Sequence, residues 1–137
     1  MKKVYIFGPI FLFGEDYLPV YKSINQLCSK YFIEVIGTFP DFWNSKETPQ
    51  EFYKRTYKTI KDCDLFIAEV SSPSHGVGME LQMAQERNIP VIGLVKDGID
   101  FSKSTMVLGL PVLKEVISYG SSENLISKLE ERLKLLA

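Results

Sequence analysis

The chain alternates short, nearly continuous apolar runs with longer stretches whose apolar residues recur every three or four positions. Val4 to Phe7, Ile33 to Ile36, Leu65 to Val70, Ile89 to Leu94 and Val116 to Tyr119 are the short runs. Runs of this length, apolar at successive positions, predict strands covered on both faces, as in a parallel sheet. Helical spacing fills the intervals. Leu18, Ile24, Leu27 and Tyr31 form one stripe, with Glu15-Asp16 at its expected start. Phe52, Tyr53, Tyr57 and Ile60 form another, opened by Thr48-Pro49-Gln50-Glu51, a capping-box spacing with proline at the first helical position. Leu125, Ile126, Leu129, Leu133 and Leu136 form the last, capped by Ser121 or Ser122, with Lys128, Glu130, Glu131 and Arg132 on a solvated face. Ser104 to Leu113 is expected to hold a short helix. The alternation predicts one α/β domain over residues 1–137, a doubly wound parallel sheet of about five strands with helices on both faces.

The stretch from Asp64 to Arg87 concentrates the candidate chemistry. An apolar run ends at Val70, and Ser71 to Gly78 cannot extend it: Pro73 has no N–H, and Gly76 and Gly78 suit turns and close backbone approaches. The spacing predicts a helix that starts with Glu80 in its first turn, with Met79, Met83 and Ala84 on its apolar side. In an open α/β sheet, ligands bind outside the carboxyl ends of the strands. A first-turn carboxylate either complements the helix dipole or performs chemistry at that site. Ser74 either bonds its own turn or joins backbone N–H groups around a phosphate.

Composition narrows the function classes. The chain has 137 residues, 45% hydrophobic and 24% charged, with a net charge of -1. That balance argues against a nucleic-acid binder, which needs a basic excess. No apolar run approaches the ~20 residues of a membrane span, and the first residues lead straight into a strand, so neither span nor signal peptide is expected. Cys28 and Cys63 lack metal-type spacing and are expected as buried filler in a reducing, cytoplasmic setting; with one histidine, no metal site is expected. Phe11 and Phe13, and Phe39, Phe42 and Trp43, are loop aromatics that would either wall a nucleobase or pack locally.

The motif Ala68-Glu69-Val70, followed by Pro73-Ser74-His75-Gly76-Val77-Gly78-Met79-Glu80-Leu81, resembles the signature of the nucleoside 2-deoxyribosyltransferase superfamily. It is nearest to the form found in 2'-deoxynucleoside 5'-phosphate N-hydrolases. Val4-Tyr5-Ile6-Phe7-Gly8-Pro9 is similar to that family's first strand and turn, and Ser104-Thr105-Met106 to a segment that these proteins lend to a neighbouring subunit. The resemblance implies a Rossmann- or flavodoxin-like fold and cleavage of an N-glycosidic bond. Glu80 would be the nucleophile and Tyr5 its hydrogen-bonding partner, with no cofactor. It implies substrate contacts from Gly8, Pro9, Ile10, Phe11, Ser74, Gly76, Gly78, Ser104 and Met106, Ser74 and Ser104 serving a 5'-phosphate. The partner would be a small nucleoside or nucleotide, in a homodimer whose Ser104 segment completes the neighbouring site.

Two positions depart from the pattern. Thr56 stands where the family carries an aspartate that assists at the sugar or leaving base, and threonine cannot act as a carboxylic acid. Phe11 stands where the phosphate-specific hydrolases carry an arginine. Hydrolysis of deoxynucleoside 5'-monophosphates is therefore set beside two alternatives: a deoxyribosyltransferase acting on unphosphorylated nucleosides, and a nucleotide-binding homologue with weak catalysis.

Overall fold

The computed structural model describes all residues except 10, 13, 14, 39 and 40, and the backbone alone of Phe11, Leu12 and Glu15. Five parallel strands form the central sheet: β1 (Lys3–Phe7), β4 (Glu34–Gly37), β5 (Leu65–Glu69), β6 (Val91–Lys96) and β7 (Leu113–Tyr119), in the order β4-β1-β5-β6-β7. A small antiparallel pair, β2 (Phe11–Leu12) and β3 (Glu15–Asp16), follows β1. The helices are α1 (Leu18–Lys30), α2 (Pro49–Lys61), α3 (His75–Glu86), the short α4 (Thr105–Leu108) and α5 (Ser122–Leu136). The expected parallel α/β sheet with two covered faces is present.

Each face has its own apolar core, set by alternation along the strands. Val4 and Ile6 of β1 point to the side covered by α1 and α5, where Ile24, Leu27, Leu125 and Leu129 are buried. Tyr5 and Phe7 point to the opposite side, with Ile60 of α2 and Leu81 and Ala84 of α3. The capping box at Thr48 is formed: its hydroxyl accepts from the Glu51 N–H at 3.1 Å, and Glu51 Oε1 accepts from the Thr48 N–H at 3.0 Å. Ser121 is the cap of α5, accepting from the Asn124 N–H at 3.1 Å. Asp97-Gly98 forms a turn after β6, with Gly98 at φ +87°. Cys28 and Cys63 are buried free thiols, and burial pushes both thiol pKa values up to about 12.

Several local expectations are corrected. Glu15-Asp16 is extended and not a helix start, because α1 begins at Leu18, where Asp16 Oδ1 accepts the Leu18 N–H at 3.0 Å and Pro19 fits the first turn. Tyr53 is 49% exposed; the deeply buried positions of α2 are Thr56 and Ile60. Met79 is 52% exposed and is no part of the apolar face of α3, which rests on Val77, Leu81, Met83 and Ala84. Among the described residues, no helix is long and apolar enough to cross a membrane.

Leu129 is fully buried between α5 and the sheet. Leu129→Ala is expected to lower unfolding free energy by about 2–5 kcal/mol, through lost apolar contact and a residual cavity. Denaturant unfolding with an unchanged m-value measures this.

Candidate active site

The strand order reverses between β1 and β5: the chain moves outward from β1 to β4, then returns to the other side of β1 for β5. Such a switch point opens a crevice at the carboxyl ends of the strands. Tyr5 comes from β1, and Glu80 from the helix that follows β5. The Tyr5 hydroxyl donates a hydrogen bond to Glu80 Oε2, joining the two sides of the switch point.

The Tyr5 ring has no exposed surface. It stacks on Phe7 at a centroid distance of 5.7 Å and meets Phe42 and Phe66 edge-on at 5.5 and 5.1 Å. Gly37 makes room for it, since a Cβ there would lie 2.7 Å from the Tyr5 ring. Phe42, expected among the loop aromatics, is therefore packed around Tyr5, while Trp43 is 53% exposed. Arg55 Cζ lies 4.1 Å from the Phe42 ring centroid, and the guanidinium bonds the Phe42 carbonyl and Glu47, which fixes the loop after β4 against α2.

Glu80 is not in the first turn of its helix. Ser74 is the N-cap, its hydroxyl accepting from the Val77 N–H at 3.3 Å, so Glu80 is the sixth residue of α3. The dipole of the first turn therefore does not hold the carboxylate ionised, since that effect fades within one turn. Burial dominates instead. Glu80 is 6% exposed, and desolvation raises its pKa to about 7, against the lowering effect of the Tyr5 hydrogen bond. Burial and the neighbouring Glu80 charge raise the Tyr5 pKa, so the phenol keeps its proton.

Gly76 and Gly78 lie inside α3, at φ values open to any residue, so the expected turn gives way to helix. A Cβ at Gly78 would meet nothing within 4 Å, and one at Gly76 only Ser74 Oγ, at 4.0 Å. Gly76 is four residues before Glu80, on the same helix face, and helical side chains lean toward the N-terminus. Gly76 thus leaves bare backbone on the helix surface one turn before Glu80.

The remaining predicted residues divide into two groups. Gly8 and Pro9 form the turn directly after β1. Ser74, Gly78, Ser104 and Met106 line a separate cleft of about 430 Å³ between the start of α3 and the segment around α4. Tyr5 and Glu80 are not among the residues that line it. His75 and Lys103, which the sequence did not single out, also line the cleft. Ile10, Phe13 and Phe39 lie outside the described residues, as does the side chain of Phe11. Thr56 is 4% exposed, and its hydroxyl has no hydrogen-bond partner among the described residues; the same holds for Thr38 at the end of β4. Among the described residues, no group of three acidic, histidine or cysteine side chains is placed to hold a metal ion.

The family profile described as nucleoside 2-deoxyribosyltransferase matches residues 4–125. The chain belongs to the nucleoside 2-deoxyribosyltransferase family. Relatives in Methanosarcina mazei and Syntrophotalea carbinolica carry the provisional name 2'-deoxynucleoside 5'-phosphate N-hydrolase 1. The first is 37% identical over 130 residues, covering 90% of this chain and 79% of the relative. The second is 41% identical over 81 residues, covering 59% of this chain and only 56% of the relative. Among solved structures, the CMP N-glycosidase of Clostridium botulinum superposes with a TM-score of 0.74 at 23% identity, covering 96% of this chain and 99% of that one. A 2-deoxyribosyltransferase of Bacillus psychrosaccharolyticus superposes at 0.60 with 15% identity, covering 90% and 89%. These superpositions establish that the deoxyribosyltransferase-family fold is shared.

The raised Glu80 pKa has a consequence for stability. The folded chain holds this proton to about pH 7, whereas an unfolded chain releases it near 4.5. Stability from this group is present below pH 4.5 and is lost as pH rises toward 7 and above, by an amount on the order of 3 kcal/mol. Glu80→Gln keeps an acceptor for Tyr5 and removes the charge. Its melting temperature, relative to the unsubstituted chain, is expected to climb between pH 5 and pH 8; a difference independent of pH would contradict burial as the cause.

Proposed function

We propose that this chain is a nucleotide N-glycosidase that cleaves deoxynucleoside 5'-monophosphates to free base and sugar phosphate, with residues 1–137 acting as one catalytic unit and Glu80 as the nucleophile. The observation that carries the proposal is the buried Tyr5–Glu80 pair at the switch point, with Gly76 one helical turn before Glu80. The names of the relatives support the substrate class.

The ionised Glu80 carboxylate attacks C1' of the sugar as the bond from C1' to the base nitrogen breaks. The bonding electrons leave with the base, which takes a proton from solvent, since Thr56 offers no acidic proton in the place of the family aspartate. Water then attacks C1' of the glycosyl ester, gives up a proton, and frees the carboxylate. The Tyr5 hydroxyl holds one carboxylate oxygen and fixes its orientation toward the sugar. The unpartnered Thr56 hydroxyl is available to bond the sugar or base. Ser74, at the start of α3, is proposed to take the 5'-phosphate together with Ser104 lent by the neighbouring subunit. The proposal includes a homodimer joined through the Ser104–Met106 segment: Met106 and Met79, 87% and 52% exposed, offer apolar surface for that contact.

Free-base release from a panel of nucleosides and their 5'-monophosphates tests the reading. Release is expected from monophosphates, and Glu80→Ala should reduce it by roughly 1,000-fold or more. Base exchange with an added free base, faster than hydrolysis, would assign the chain to the transferases instead, and silence across the panel would make it a binding homologue. Because the nucleophile must be ionised, kcat/KM should rise about tenfold per pH unit below about pH 7 and level off above it. Tyr5→Phe removes a bond that favours the ionised carboxylate, so it should slow the reaction and move that midpoint to higher pH.

Gly76→Leu provides a separate check on the approach path. Leucine is the better helix former, so melting temperature should hold or rise. Base release should fall by about tenfold or more as the side chain covers the carboxylate. Unchanged release would place the substrate elsewhere.

A further inference from the structure

The proposed mechanism leaves one buried carboxylate unused. Glu69, the last residue of β5, is 1% exposed and sits where the carboxyl ends of the sheet strands converge. Its Oε1 accepts the backbone N–H of Ser71 at 2.6 Å, and its Oε2 accepts the hydroxyl of Tyr119 at the end of β7. Ser71 Oγ in turn accepts the N–H of Lys96 at the end of β6, at 2.8 Å. The stem of Glu69 backs the turn after β1: a Cβ on Gly8 would lie 2.6 Å from Glu69 Cβ and 2.7 Å from Tyr21 Oη. Tyr21 donates its hydroxyl to the carbonyl of Pro9 in that same turn.

We infer that Glu69 is the positioning residue of this site, setting the spacing between the turn at Gly8-Pro9 and the loop from Ser71 to Ser74. Both of its carboxylate oxygens are held, and it is enclosed, so it neither touches substrate nor exchanges protons with it. It acts through its neighbours. Ser71 begins the loop that ends in the Ser74 cap of α3, and that cap fixes where Glu80 and the bare glycine face stand. An apolar residue at position 69 would fill the same space and leave the Ser71 N–H and the Tyr119 hydroxyl without an acceptor, the arrangement that costs most in an interior. The inference rests on the proposed reaction for its functional arm and on the structure alone for its conformational arm.

Glu69→Gln tests it, because an amide can accept from only one of the two donors. Tyr119→Phe is the milder partner variant, removing one hydroxyl and keeping the ring. Two readouts are taken on the full chain: amide hydrogen exchange, and KM and kcat for deoxynucleoside 5'-monophosphates. Exchange should speed up by about tenfold or more at Ser71–Ser74 and Gly8 while α5 keeps its protection. KM should rise by about tenfold with kcat changed less, and the double variant should be no worse than Glu69→Gln alone. Unchanged exchange in both segments, faster exchange spread evenly over all elements, or loosened loops with unchanged KM would each overturn the assignment. If the unsubstituted chain releases no base, the proposed reaction fails, and the exchange pattern alone decides whether Glu69 positions these loops.

Discussion

A carboxylate charge inside a protein is unfavourable, and the hydrogen bond from Tyr5 partly offsets that cost at Glu80. The rest of the architecture can be read as support for that bond. Tyr5 must reach across from β1 to α3, which requires the strand order to reverse between β1 and β5. Its ring must be immobile, which Phe7, Phe42 and Phe66 ensure from three sides. Phe42 is itself pinned by Arg55, and Gly37 leaves the space in which the ring lies. The result is a carboxylate with a pKa of about 7, close to the point at which it divides evenly between a stable, protonated form and a reactive, ionised one. The stability given up as pH rises is the counterpart of the nucleophilicity proposed for Glu80.

A second buried carboxylate lies near the first and has the opposite character. Glu80 has one described side-chain partner, whereas Glu69 is held at both oxygens and enclosed. The first arrangement leaves capacity for a reacting atom; the second uses all its capacity to join strands and loops. Burial pushes both pKa values upward, yet only one of the two groups is proposed to meet a substrate.

The parallel sheet was legible because its strands are buried on both faces and so appear as unbroken apolar runs. The β2–β3 pair was not legible, since two-residue strands carry no period. Glu80 could be picked out from its motif, but its burial could not. Gly76 and Gly78 look like helix breakers, which displaced the expected helix start from Ser74 toward Glu80 and suggested a dipole effect where burial governs. Neither backbone angle nor a close contact within the described residues requires those glycines. Glu69 was quoted only as part of a motif, although a lone acid in a run of otherwise apolar strand residues is itself a signal that buried donors are waiting for it. That Ser74 and Ser104 line a cleft without Tyr5 and Glu80 is a tertiary property that spacing does not encode.

The central claim is that Glu80 forms a covalent bond to the sugar. Rapid acid quenching of the enzyme during turnover of a deoxynucleoside 5'-monophosphate, followed by peptide mass spectrometry, measures this directly. The account predicts a sugar-phosphate adduct on the peptide containing Glu80, present during turnover and gone when substrate is exhausted. Turnover with the adduct on another residue would contradict it.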